Sequence, residues 1–173
     1  EDKGIIIDKL CKFLVDNNEI IEKEKEYKTI DLCYGSGNLT THILGDCGIN
    51  FCELVLNDVN TDNRNNEIQI GTKQDDDFLD ATKFTTKYDL IIGVGGGSVM
   101  DASKLASIIL GADYSLRDLL KDSSIAKKQI KTVMIPTTCG TGSEATCNAI
   151  VAIPEQESKQ GIVNNCMIPD YVI

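Results

Sequence analysis

Two apolar runs, each closing on a glycine-rich turn, constrain this chain more than any other feature. Tyr88–Val94 (YDLIIGV) and Ile130–Ile135 (IKTVMI) read as strands buried on both faces. Such strands belong in a parallel sheet covered by helices rather than in a half-wet antiparallel one. The first run gives way to Gly95-Gly96-Gly97-Ser98. The second gives way to Pro136-Thr137-Thr138-Cys139-Gly140-Thr141-Gly142-Ser143-Glu144. Apolar residues at 99, 102, 105, 106 and 109 then predict a helix over Val99–Leu110.

The remaining pattern alternates in the same way. A helix is predicted over about residues 4–16, a strand over Thr29–Cys33, a short helix over Leu39–Leu44 and a strand over Glu53–Leu56. Phe78-Leu79 reads as the end of another strand. Ser115–Leu120 reads as a short helix, and Ala149–Ile153 and Tyr171–Ile173 as strands. Strands alternating with helices predict an α/β, Rossmann-like fold with a mostly parallel sheet and helices on both faces. The strands of 29–33, 88–94 and 130–135 are expected in one sheet. Ligands in such sheets sit at the carboxyl ends of strands.

Composition narrows the function classes. Apolar residues make up 42% and charged residues 25% of 173, which excludes intrinsic disorder. No stretch approaches the roughly 18 apolar residues of a spanning helix, so no membrane role is expected. The net charge is −10, of which −9 falls in residues 1–93 and −1 in 94–173. Nucleic acid is not expected as a partner for such a chain, because phosphate contacts draw on Lys and Arg. The chain opens on Glu1 without a basic segment leading into an apolar run, so a cytoplasmic location is expected, as is a start inside a longer chain. The cysteines, Cys11, Cys33, Cys47, Cys52, Cys139, Cys147 and Cys166, are odd in number and show no C-x-x-C spacing. They read as reduced thiols, mostly small apolar fillers, rather than zinc ligands. Glu22–Lys28 and Asp75–Asp77 read as solvated connections.

Three glycine turns carry the chemistry. The first, Asp31-Leu32-Cys33-Tyr34-Gly35-Ser36-Gly37, follows a strand, and Asp58 lies 21 residues beyond Gly37. That spacing suits a carboxylate on ribose hydroxyls, and it equally suits a plain turn with a surface Asp. The second, Gly95–Ser98, exposes backbone N–H groups at a helix start, an anion site for which a diphosphate is the natural guest. Ser98 with Asp101 fits an acidic variant of the capping box, which places Asp101 in the first helical turn. The third, Pro136–Glu144, offers hydroxyls without cations, which suit ribose or a neutral ring better than bare phosphate.

Specific motifs carry two resemblances. GVGGGSVMDASK (93–104), IPTTCGTGSEAT (135–146) and Ile168-Pro169-Asp170 resemble the iron-containing alcohol dehydrogenase family over about residues 88–173. The resemblance implies NAD or NADP as cofactor, with its diphosphate on Gly95, Gly96, Gly97 and Ser98 beside Asp101. It implies that Thr137, Thr138, Thr141, Thr146 and Lys159 approach the same cofactor. The implied reaction is reversible hydride transfer with a small alcohol or aldehyde, and a homo-oligomer stays open. IDLCYGSGNLT (30–40), LNDVN (56–60), DDDFLD (75–80) and KYDLIIG (87–93) resemble class I S-adenosylmethionine-dependent methyltransferases of the DNA adenine type. This second resemblance implies Gly35 and Gly37 at the methionine end, Asp58 at the ribose and Asp77 at the adenine.

Both resemblances come with departures. Where the methyltransferases carry Asn/Asp-Pro-Pro-aromatic, this chain reads Gly93-Val94-Gly95-Gly96. The dehydrogenases hold iron or zinc with one Asp and three His in a helical domain that would begin after Ile173. The single histidine, His42, is no substitute, so no metal and no catalytic residue is assigned. The chain therefore reads as a methyltransferase-like segment, 1–93, joined near Tyr88–Gly93 to a dinucleotide-binding segment, 94–173. The leading expectation is the truncated NAD(P)-binding portion of an iron-type alcohol dehydrogenase. A methyltransferase-like domain and a non-catalytic nucleotide-binding domain are the alternatives.

Overall fold

The computed structural model describes residues 88–153 and 157–173 in full and the backbone of 27–32, 51–57 and 72–74, together with Lys12, Asp16 and Lys25. Lys12 and Asp16 are helical, within the helix expected over 4–16. The expected helix 39–44 and the strand end at Phe78-Leu79 lie outside the described residues, as do Gly35, Gly37, His42, Asp58 and Asp77. The chain forms two compact units, Glu1–Asp75 and Asp76–Ile173.

In the first unit three strands run parallel: β1 (Tyr27–Leu32), β2 (Phe51–Asn57) and β3 (Thr72–Gln74). β2 is central. Lys28 pairs with Glu53 and Leu32 with Asn57, while Val55 pairs with Thr72. The two strands expected at 29–33 and 53–56 are thus present within a residue or two. β3 (TKQ) has no apolar residue to announce it.

The second unit is built on β4 (Leu90–Gly95) and β5 (Lys131–Pro136), parallel neighbours in register from Leu90↔Lys131 to Gly95↔Pro136. The two apolar runs are those strands: Leu90, Ile91, Val133 and Met134 are all buried. Helix α1 (Gly97–Ile109) returns the chain between them, and a short helix α2 (Leu116–Lys121) follows. α2 starts on a complete capping box. The hydroxyl of Ser115 accepts from the Asp118 N–H, and the Asp118 carboxylate accepts from the Ser115 N–H at 3.0 Å. A second sheet is an antiparallel hairpin of β6 (Asn148–Ile153) and β7 (Ser158–Val163), in register from Asn148↔Val163 to Ile153↔Ser158.

α1 lies between the parallel strands and this hairpin, which explains its composition. From Ser103 to Ile109 every residue is buried, the polar Ser103, Lys104 and Ser107 included, so the helix is covered on every side there. Leu105, Ile108 and Ile109 pack with Ala149, Val151 and Ile162 of the hairpin, and Leu119, Ala126 and Met167 close the cluster. α1 ends where Gly111 takes a φ of 81°.

The chain's end is pinned to β5. β8 (Tyr171–Val172) pairs parallel with Val133 and Met134. Just before it, one Asp170 carboxylate oxygen accepts from the Thr132 N–H at 2.8 Å and from its hydroxyl at 3.0 Å, and faces the Lys128 ammonium at 3.2 Å. Partial burial raises the Asp170 pKa, but the Thr132 N–H, the Lys128 charge and the two side-chain hydrogen bonds together outweigh it. The net displacement is downward.

Candidate dinucleotide site

The two glycine turns leave the sheet side by side. Gly95 and Pro136 are opposed at the ends of β4 and β5, and the next residue, Thr137, donates its N–H to the Gly95 carbonyl at 2.8 Å. Gly96 is the N-cap of α1, with φ −84° and ψ −172°, and contributes no side-chain cap. This corrects the capping box expected from Ser98 and Asp101. The first turn of α1 holds no acidic residue, and Asp101 stands in the second turn instead. The 13-residue helix thus presents its N-terminal turn, positive end of its dipole, with no carboxylate in that turn to repel an anion.

The glycines here serve close approach rather than unusual backbone. Gly95, Gly96 and Gly97 all lack a positive φ. A Cβ on Gly96 would stand 3.2 Å from Thr138 Oγ1, and one on Gly97 would stand 3.1 Å from Thr141 Cγ2. The threonine turn is packed directly on the glycine turn. It is Gly140 and Gly142 that need glycine for their backbone: their φ values are 99° and 64°, and Gly142 opens the 3-10 turn Ser143–Ala145.

A fully buried lysine holds that second turn. Lys104 of α1 donates to the Ser143 carbonyl at 2.8 Å, to Ser143 Oγ at 3.1 Å and to Thr146 Oγ1 at 3.3 Å, and also to the Asn148 carbonyl. It pairs with Asp101 Oδ1 at 3.0 Å. Asp101 in turn accepts from the Ser143 hydroxyl and, through Oδ2, from the Ile150 N–H at 3.0 Å. A buried ammonium is tolerable only when paired and hydrogen-bonded in this way. Sequence reasoning quoted Lys104 within its motif and gave it no role. Lys104 lies four residues after Met100 and four before Ile108, on a stripe of the helix that the structure buries.

A cavity of about 620 Å³ opens beside the turns. Of the residues predicted from sequence, Gly97, Ser98, Asp101, Thr141, Thr146 and Lys159 line it. Gly95, Gly96, Thr137 and Thr138 do not; they form the adjoining turns. Lys159 arrives from β7, opposite Ala152 across the hairpin, a strand the sequence reading did not identify. Leu105, Ile150 and Val151 give the cavity an apolar wall. A pocket of that size with an apolar wall and a few convergent polar groups is of ligand-binding type.

Neither metal nor disulfide chemistry is gathered here. Among the described residues no three His, Cys, Asp or Glu side chains come together, so the residues described do not fit an iron or zinc site. Cys139, Cys147 and Cys166 are free. Cys139 is exposed in the threonine turn and is therefore no filler, while Cys147 and Cys166 are partly buried. Burial pushes the half-buried Cys166 thiol up. Among the described residues no helix is long and apolar enough to cross a membrane.

Comparison with known proteins decides the lineage. The family model described as iron-containing alcohol dehydrogenase matches residues 36–173. The chain belongs to the iron-containing alcohol dehydrogenase family. It is 37% identical over 90 residues to long-chain-alcohol dehydrogenase 1 of Geobacillus thermodenitrificans, covering 50% of this chain and 22% of that one. The solved iron-containing alcohol dehydrogenase of Thermotoga maritima is 27% identical, with a TM-score of 0.60 over 93% of this chain and 43% of that one. A sulfoacetaldehyde reductase from Bifidobacterium kashiwanohense, solved with NAD+, shares the fold at 20% identity and a TM-score of 0.61. It covers 92% of this chain and 41% of that one. The chain thus spans less than half the length of these relatives.

The methyltransferase resemblance finds no support. The dehydrogenase family match begins at residue 36 and runs through the proposed join at 88–93 without a break. The physical reason is that a strand, a glycine turn and an acidic residue after the next strand form a pattern that many βαβ units share, so it does not assign a family.

Proposed function

We propose that this chain forms the NAD(P)-binding part of an iron-type alcohol dehydrogenase. The cofactor diphosphate rests on the uncapped N-terminal turn of α1, at Gly95, Gly96, Gly97 and Ser98. Thr137 and Thr138 flank it. Thr141, Thr146 and Lys159 line the cavity that receives the remainder of the dinucleotide, with Asp101 in its wall. The observation that carries this reading is the juxtaposition of the two turns: the Thr137–Gly95 bond and the Gly97–Thr141 packing form one surface at the carboxyl ends of β4 and β5. Ligands bind α/β sheets at that edge.

The protein's cofactor supplies hydride acceptance and donation when bound. The described residues bind and orient it, and a small alcohol or aldehyde and a cytoplasmic location belong to the same proposal. Calorimetric titration of the 173-residue chain with NAD(H), NADP(H) and S-adenosylmethionine tests the reading. Binding of a nicotinamide dinucleotide alone is expected. Binding of S-adenosylmethionine alone, or of none of the three, overturns it.

A further inference from the structure

Resting on that reading, we infer that Lys104 is a positioning residue that holds the Ser143–Asn148 segment in its cofactor-competent form. The segment runs from the left-handed Gly142 to Asn148, the first residue of β6, and its backbone bonds are a 3-10 closure, Ala145 N–H to the Gly142 carbonyl at 3.0 Å, and one from the Asn164 N–H to the Cys147 carbonyl at 3.0 Å. Between these two bonds a side chain from α1 supplies the remaining hold. The Lys104 ammonium lies within hydrogen-bond distance of the carbonyls of Ser143 and Asn148 and the hydroxyls of Ser143 and Thr146, three residues spread over six positions among which its three N–H groups are shared.

Two consequences reach the cavity. The first concerns Thr146, which lines it. Its hydroxyl accepts from Lys104 and donates to the Ser143 carbonyl at 3.4 Å, so its orientation is set from behind. The second concerns Asp101, also in the wall. Its carboxylate is held by the Lys104 ammonium, the Ser143 hydroxyl and the Ile150 N–H, which commits both oxygens to partners within the protein. Lys104 itself is 0% exposed, so it reaches the cofactor only through these neighbours.

The glycine turn does not depend on this clamp. It is shaped by β4, by the Gly96 N-cap and by the Thr137–Gly95 bond. Losing the clamp should therefore weaken the part of the dinucleotide that enters the cavity and spare the diphosphate. If the released segment spends a tenth of its time in the bound form, affinity falls about tenfold.

The experiment measures NADH and inorganic pyrophosphate affinity in parallel for wild type, Lys104→Met and Lys104→Gln, with thermal melting of each. Lys104→Met leaves the Asp101 carboxylate two of its donors, the Ser143 hydroxyl and the Ile150 N–H. The expected result is NADH binding weakened about tenfold with pyrophosphate binding within about twofold of wild type. NADH affinity unchanged in a folded Lys104→Met protein overturns the inference, and so does an equal loss of NADH and pyrophosphate. Should Lys104→Met not fold, Lys104→Gln decides by the same two criteria, since its amide keeps a polar group in the buried site but lacks the ammonium. Wild type that binds neither ligand sinks the dinucleotide reading itself, which separates that failure from failure of the clamp.

Discussion

Thr137 gives its N–H to the carbonyl of Gly95 across the ends of two parallel strands, 2.8 Å apart. That bond brings together two turns whose joined residues lie 42 positions apart in the chain.

Gly96→Val is expected to weaken NADH binding while the fold survives. The φ of Gly96 is −84°, which any residue adopts, so backbone strain is not the reason. The reason is bulk. The added Cβ alone stands 3.2 Å from Thr138 Oγ1, and two methyl groups beyond it must occupy the space over the helix N-terminus. NADH fluorescence titration checks the affinity, and a melting curve within a few degrees of wild type checks the fold. Unchanged affinity in a folded variant counts against the diphosphate position.

Gly142→Ala and Gly111→Ala form a matched pair. Both glycines have a positive φ, 64° and 81°, and a Cβ on either meets nothing within 4 Å. Each substitution should therefore cost only the left-handed backbone penalty, about 1–2 kcal/mol. Melting temperatures should fall by similar amounts, roughly 2–4 °C per kcal/mol. Only Gly142→Ala should also weaken NADH binding, because Gly142 opens the turn that Lys104 holds. Equal effects of both on affinity would remove the threonine turn from the site.

Asp170→Asn should destabilise at neutral pH by about 1 kcal/mol, the cost of weakening a charge-assisted cluster on Thr132 and Lys128 that solvent partly screens. The folded state lowers the Asp170 pKa below its ordinary 3.8. The ionised form is therefore the one the fold favours, and its contribution is complete above 3.8 and lost as pH falls through the lower folded value. The difference in Tm between wild type and variant should accordingly close below pH 3.8. The comparison must be a difference, because Asp118 and Asp122 are lowered too, chiefly by hydrogen bonds from Ser115 and Ser124, and are common to both proteins. A gap constant with pH would mean that the amide of the Asp170→Asn variant fails for reasons of shape.

The strands and turns of the second unit were legible because burial on both faces writes an uninterrupted apolar run, and glycine marks its end. β4, β5 and α1 fall within two residues of their predicted bounds. β7 was not legible: its first four residues, Ser158–Gly161, are exposed, and only Ile162 points into the core. Its strand character comes from pairing with β6, a tertiary cause. The Lys104 clamp was hidden for a related reason. A lysine at a buried helical position is indistinguishable in sequence from one that reaches solvent until its acceptors, 39 to 44 residues away, are in place. The helix start was misread because serine and aspartate three apart fit a capping box, whereas Gly96 occupies the cap.

Finally, the 173-residue chain is expected to form no NADH from simple alcohols in the presence of Fe²⁺ or Zn²⁺. Alcohol oxidation by a metal-dependent route needs an ion to polarise the alcohol oxygen, and the ion needs several ligands in fixed geometry. The described residues bring no three such side chains together, and the whole sequence holds one histidine. Cofactor binding makes no such demand, since the glycine turn offers backbone groups that need only the local strand, turn and helix. Binding without turnover is therefore the expected pair of results. The assay is NADH absorbance over hours with each metal, run beside Gly96→Val as a binding-deficient control. Metal-dependent turnover above that control would show that the chain assembles a ligand set outside its described residues, and would make it an enzyme in its own right.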